Sequence, residues 1–141
     1  MSGEIQITVV GNLTSDPELR FTPGGVAVAN VTIATTARRL NNDSKEWEDQ
    51  ETTFMRCNIW RDYAENVAES LSKGMSVIAL GQFKLKTWED KDGTKRVSPE
   101  MDVLEIGPAL RWNVAKVSKA LAYATPEEPT PPVKKATRSR R

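Results

Sequence analysis

Histidine is absent from the 141-residue chain, and cysteine occurs once, at Cys57. The commonest general base and metal ligand is therefore missing, and no zinc site can be assembled. A lone cysteine makes no internal disulfide, which suits a reducing cytoplasm. No stretch approaches the roughly 20 apolar residues of a membrane-spanning helix. The N-terminus, Met1-Ser2-Gly3-Glu4, lacks the basic-then-apolar pattern of a secretory signal. No paired acidic motif is placed for carboxylate hydrolysis, so the expectation is a protein that is not an enzyme and uses no cofactor and no metal. An excess of charge is missing too: the net is +1. Residues 1–112 hold 13 Lys/Arg against 17 Asp/Glu, a net of −4, and residues 113–141 hold 7 against 2, a net of +5. Any polyanion site on the body must come from local patterning of cations.

What is present is ordinary globular material, 38% hydrophobic and 28% charged, enough for one domain and a tail. Its dominant period is two, the signature of strands. Ile5, Ile7 and Val9 alternate with Gln6 and Thr8 in a first strand ending at Gly11-Asn12. Asp16-Pro17 and Pro23-Gly24-Gly25 mark turns. Residues 26–36 form a second strand, 40–51 a polar, mobile hairpin loop, and 52–60 a third strand. Asp62 stands three residues before Glu65 in a capping-box spacing, ahead of a helix carrying Tyr63, Ala64, Val67, Ala68 and Leu71, with Gly74 as its stop. Residues 76–89 and 94–106 are strands four and five, joined by an Asp92-Gly93 turn.

Five strands with one helix between the third and fourth is the order of the OB-fold, an all-β, five-stranded Greek-key barrel known for binding oligonucleotides. Another small α+β domain is the alternative from pattern alone. The domain covers residues 1–107. Residues 108–122 read as a C-terminal extension, a sixth strand or a short helix, and 123–141 as a disordered tail, Pro-rich and then basic.

Strand three carries the most information. Met55, Cys57 and Ile59 fall on one face, and Phe54, Arg56, Asn58 and Trp60 on the other. Two aromatics flanking a cation and an amide make a poor core. Strand four repeats the arrangement, with Phe83 and Leu85 on one side and Gln82, Lys84, Lys86 and Trp88 on the other. Two neighbouring strands thus offer rings among cations, which is what unpaired nucleic acid needs. Stacking is worth about 1–3 kcal/mol per base, and cations release counterions from phosphates. The rival account leaves Trp60 and Trp88 partly buried beside ordinary solvated lysines. Arg38 and Arg39, and Lys95 and Arg96, are expected to rim a positive track. Trp47, in an acidic loop, either stacks a base or anchors a neighbouring subunit. The acidic residues around it lack calcium-loop spacing.

The stretch Val10-Gly11-Asn12-Leu13-Thr14-Ser15-Asp16-Pro17-Glu18-Leu19-Arg20 resembles the N-terminal signature of the bacterial single-stranded DNA-binding protein family. Val28-Ala29-Asn30-Val31-Thr32-Ile33-Ala34-Thr35 is similar to its second-strand signature, and the likeness spans about residues 4–107. It implies the OB barrel, usually a homotetramer assembled through exposed strand edges that include residues 4–10. It also implies stacking by Phe54, Trp60 and Trp88, and cation roles for Arg56, Lys73, Lys84 and Lys86. The segment from Glu105 through Trp112 to Lys119 is similar to the actinobacterial branch, in which an added C-terminal strand clasps a neighbouring subunit.

The terminus departs from that pattern. Main replicative members end in a glycine-rich linker and an acidic-hydrophobic tip, whereas this chain ends Arg138-Ser139-Arg140-Arg141. Tip-mediated recruitment of other proteins is not expected, and a phage-encoded or accessory paralog is. The reading is sequence-tolerant binding and protection of single-stranded DNA in replication, recombination or repair, in the cytoplasm with the nucleoid. Phe54, Trp60 and Trp88 stack bases, while Arg38, Arg56, Lys73, Lys84, Lys86 and Arg96 hold phosphates. The alternatives are an OB-fold RNA-binding module and an oligomerising protein-interaction module.

Overall fold

The alternating segments become strands that close on one another in a computed structural model describing residues 3–120. The expected tail over 123–141 lies outside the described residues. In chain order the elements are β1 (Ile5–Leu13), β2 (Glu18–Phe21), β3 (Ala27–Leu40), β4 (Trp47–Trp60), α1 (Asp62–Ser70), β5 (Ser76–Glu89) and β6 (Lys95–Pro108). The sheet runs β1-β5-β6-β4-β3-β2, and β1 returns to pair with β3 at Asn12–Ala34 and Leu13–Ile33, which closes a barrel. All pairings are antiparallel except β4–β6, a parallel contact of three pairs. This is the OB order of five strands and one helix, with β2 added at the edge.

Alternation fills the interior. Val31, Cys57, Met101 and Phe83 form one inward row across four strands. Ile33, Ile59, Val77 and Ala79 join Val31, Cys57 and Met101 in the buried core, and α1 packs Ala64, Val67 and, just past its end, Leu71 against them. Burying each large aliphatic side chain contributes about 1.5–3 kcal/mol. Two glycines let strands approach closely. A Cβ on Gly11 would run into the Ala34 carbonyl where β1 meets β3, and one on Gly81 would strike the Asp102 carbonyl at the β5–β6 bulge.

Several expectations are corrected. β2 was not foreseen. Residues 40–51 are not a mobile loop: β3 and β4 run on as paired arms to Leu40 and Trp47, leaving a turn at 41–46. Asn41 Oδ1 accepts from the Asp43 and Ser44 amides there, and the Thr36 and Thr52 hydroxyls bond across the arms. The capping box does not form. Arg61, with φ of 66°, caps α1 without a side-chain bond, because its amide is tied to Ala27 O at 2.7 Å and the chain turns one residue early. Asp62 and Glu65 instead lie in the first turn, where carboxylates favour the helix dipole. The helix ends at Ser70, before Gly74, which serves the following turn. Leu85 is not core but 62% exposed, since the β5–β6 hairpin projects past the barrel. Residues 109–120 make neither the strand nor the helix expected over 108–122, and Trp112 is exposed there.

The hairpin tip is held by one carboxylate. Asp90 Oδ1 accepts from the Asp92 and Thr94 amides, each at 3.0 Å, and Oδ2 pairs with Arg96 Nε at 3.0 Å. The Arg96 guanidinium, then the Thr94 amide, hold the Asp90 carboxyl below its ordinary 3.8. A depressed folded value favours the folded tip above pH 4 or so and loses that contribution as pH falls through the folded value. NMR titration of the Asp90 carboxyl is expected to show a midpoint below 3.8 that returns upward in Arg96→Ala. Burial pushes the Cys57 thiol up to about 12, so only about one molecule in ten thousand carries thiolate at pH 8. Ellman's reagent at that pH is expected to leave native protein unmodified and to react at once in denaturant.

Candidate nucleic-acid interface

The outward face of β4 is fixed by what its inward face buries. With Cys57 and Ile59 packed inside, Phe54, Arg56, Asn58 and Trp60 must point out, and Phe54 and Trp60 are 58% and 44% exposed. On β5, Ala79 and Gly81 face in, which turns Gln82, Lys84, Lys86 and Trp88 outward; Trp88 is 44% exposed. The face assignment therefore matches the structure. The adjacency does not: β6 lies between β4 and β5. Sequence order hides this because the parallel β4–β6 contact joins segments more than 40 residues apart.

Because β6 intervenes, the platform is built in rows across four strands. One row reads Thr32, Arg56, Glu100, Lys84, and the next Asn30, Asn58, Asp102, Gln82. Arg20 bonds to Asn30 Oδ1, Asn30 Nδ2 donates to Asn58 Oδ1 at 2.6 Å, and Asn58 Nδ2 donates to Glu100 Oε2 at 3.2 Å. This chain of amides stiffens the floor, since each side chain is held by the next. Pro99, with no N–H to give, immediately precedes the three β6 residues that pair with β4.

Two hollows open on this floor and share Asn30. A cleft of about 520 Å³ brings Trp60, Lys84 and Lys86 together with Phe21, Asn58 and Glu100. The adjoining hollow holds Arg56 beside Asp16 and Thr32. The Lys73 amide donates to Asp16 Oδ1 at 2.8 Å, so the backbone of this exposed lysine adjoins a residue that lines the second hollow. Phe54 sits six residues from Trp60 on the same face of β4, about 20 Å along the strand. Trp88 lies on the projecting hairpin opposite Arg96, and its Nε1 donates to Ser98 Oγ at 2.9 Å. Arg38 lies on the other arm, on the β3–β4 hairpin, as does Trp47.

Three of the expected cations already hold carboxylates: Arg38 with Asp49 at 3.1 Å, Lys84 with Asp102 at 2.8 Å, and Arg96 with Asp90 at 3.0 Å. Arg56, Lys73 and Lys86 have no ion pair among the described residues. Arg38–Asp49 is exposed on both sides and worth about 0–1 kcal/mol, whereas the Asp102 and Asp90 side chains are only 31% and 17% exposed and hold their partners more firmly. Among the described residues there is no cluster of metal-ligating side chains, and no helix is long and apolar enough to cross a membrane.

Sequence reasoning missed Phe21, Arg20 and Glu100. Phe21 sits in a four-residue strand exposed along its whole length, so it carries no alternation of burial to detect. Glu100 follows a proline and would pass for a surface charge, yet it is 7% exposed.

The single-strand binding protein family model matches residues 5–108. A single-stranded DNA-binding protein of Mycolicibacterium smegmatis is 58% identical over 120 residues, 85% of this chain and 73% of that protein. One from Paenarthrobacter aurescens is 58% identical over 119 residues, covering 84% and 70% respectively. The crystal structure of a small single-stranded DNA-binding protein from Streptomyces coelicolor aligns with a TM-score of 0.66 at 31% identity, covering 77% of this chain and 96% of that one. The matched span takes in every strand from β1 to β6 and both hollows, and by that measure the chain belongs to the single-strand binding protein family.

Proposed function

We propose that this chain binds and protects single-stranded DNA without regard to most of its sequence, acting in replication, recombination or repair and performing no chemistry on it. The observation that carries the reading is the outward face shared by exposed rings and cations, with Trp60, Lys84 and Lys86 in one cleft. Each nucleotide offers a flat π-face and a phosphate, and this face offers a ring and a cation. Duplex is rejected because paired bases hide their faces. Phe54, Trp60 and Trp88 stack bases; Arg56, Lys73 and Lys86 hold phosphates directly, while Arg38, Lys84 and Arg96 do so after exchanging a carboxylate. Such a protein works wherever single strands are exposed, at the nucleoid.

Titrating oligo(dT) against intrinsic tryptophan fluorescence tests this. Strong quenching is expected, with affinity falling steeply as salt rises. Trp60→Ala and Trp88→Ala are each expected to weaken binding by roughly 5- to 150-fold, the equivalent of about 1–3 kcal/mol of stacking, with little change in thermal stability because both rings are exposed. Unchanged fluorescence would favour a protein-interaction module, and equal or tighter binding of oligo(rU) an RNA-binding one.

The working form is a homotetramer in this reading. Ile5 to Val9 of β1 pair with β5 on one side only, leaving a strand edge open up to Val10, whose carbonyl accepts from the Thr35 hydroxyl. Val10, Ile78 and Leu104 are apolar and exposed on β1, β5 and β6, and the irregular residues 109–120, which turn at 110–112, carry exposed Leu110, Trp112, Val114 and Val117. That segment lacks a partner strand in a single chain and gains one from a neighbour. Light scattering is expected to give four times the 15.7 kDa chain mass; a mass of one chain would contradict this assembly.

A further inference from the structure

Trp47 is 61% exposed at the far end of β4, and neither the barrel core nor the two hollows use it. Along the sequence it precedes Phe54 by seven positions, an odd separation that in a regular strand sets two side chains on opposite faces. The ladder is not regular. Thr36 lies opposite Thr52, yet Arg38 lies opposite Asp49, so Gln50 and Glu51 together face Ala37. This extra residue is a β-bulge, a device that re-aims the side chains beyond it.

The unbulged partner strand shows where they go. Ala34, Thr36, Arg38 and Leu40 follow one another on a single face of β3. Phe54 stands opposite Ala34, the Thr36 and Thr52 hydroxyls meet at 2.7 Å, and Arg38 Nε reaches Asp49 Oδ1 at 3.1 Å. Trp47 stands opposite Leu40, and so shares the outward face of Phe54, Arg56 and Trp60. Trp60, Phe54 and Trp47 oppose Val28, Ala34 and Leu40, which gives two intervals of about 20 Å each. Charge is not what this arm offers a polyanion, since residues 38–51 hold three cations against five carboxylates. The exposed apolar residues of the β1, β5 and β6 surface lie on other strands, so the ring is not continuous with that surface. We propose that Trp47 is a further base-stacking residue, turned onto the DNA-binding face by the bulge at Gln50 and Glu51. The proposal rests on the single-stranded DNA reading and lengthens its line of rings to the tip of the β3–β4 arm.

Binding of fluorescein-labelled oligo(dT), about 16 nucleotides long to fill the span of one OB barrel, is followed by anisotropy at several salt concentrations. Trp47→Ala is expected to weaken binding about 5-fold or more. The slope of log affinity against log salt is expected to stay the same, because no phosphate contact is lost. Trp47→Phe keeps a ring and is expected to recover most of the affinity. A chain with Trp60, Trp88 and Trp112 all changed to Phe leaves Trp47 as its one tryptophan, and its emission is expected to be quenched when the oligomer binds. Unchanged affinity in Trp47→Ala, or unquenched Trp47 emission in bound protein, overturns the stacking role and leaves the DNA reading intact. A lower mass for Trp47→Ala than for the unsubstituted chain by light scattering also overturns it, by making the ring a subunit anchor. Failure of the unsubstituted chain to bind the oligomer removes the DNA reading itself, and this role with it.

Discussion

Three consecutive parallel pairs between β4 and β6 govern both the core and the surface of this protein. Arg56 meets Glu100, Cys57 meets Met101 and Asn58 meets Asp102. The middle pair faces in and joins Val31 to Phe83 through the barrel interior. The outer two face out and bring a guanidinium, an amide and two carboxylates onto one floor. Slipping this contact by one residue would turn Met101 to solvent and bury Glu100 or Asp102 among aliphatic side chains, costing several kcal/mol in either direction. The register that protects the core is therefore the register that assembles the interface.

Local signals made much of this legible. Period-two alternation located every long strand, and β5 starts and stops where the pattern does, at Ser76 and Glu89. The same alternation assigned Phe54, Arg56, Asn58 and Trp60 to one face, because Cys57 and Ile59 leave them no other. What stayed hidden was long-range or contextual. The insertion of β6 between β4 and β5 depends on a contact three residues long, too short to leave a pattern. β2 is exposed throughout and pairs only at the rim. The polar run at 40–51 looked like loop because strand arms standing clear of a barrel have no buried face to enforce alternation. Asp62 and Glu65 matched a capping spacing, but the Arg61–Ala27 backbone bond decided where the helix begins.

Charge is arranged on this face to moderate binding. A body with a net of −4 over residues 1–112 holds several of its cations next to carboxylates, in Arg38–Asp49, Lys84–Asp102 and Arg96–Asp90. Each pair spares the free protein an exposed positive field that would attract any polyanion, duplex included. In the proposed reading a phosphate arriving there would displace a carboxylate, so electrostatic gain at those positions is a difference between two similar contacts. Rings escape that exchange, since among the described residues no ring contact occupies the exposed faces of Phe54 and Trp60. In the proposed reading, selectivity for unpaired strands then falls to the aromatic contacts, with Arg56, Lys73 and Lys86, which have no ion pair among the described residues, supplying attraction.

Rigidity divides the surface into two parts with different physical roles. Around Trp60, the bonds from Arg20 through Asn30 and Asn58 to Glu100 fix donors and acceptors before any ligand arrives, so little ordering is required on binding. Trp88 and Arg38 stand on two hairpin arms whose side chains are exposed on both faces, with no core beneath them to resist bending. A preorganised floor can discriminate between bases, because a mismatch there leaves a fixed polar group unpaired. Compliant arms cannot discriminate in this way, but they can follow a backbone whose path changes with sequence. The boundary between the fixed floor and the compliant arms lies where β5 and β6 leave the barrel, near Lys84 and Glu100.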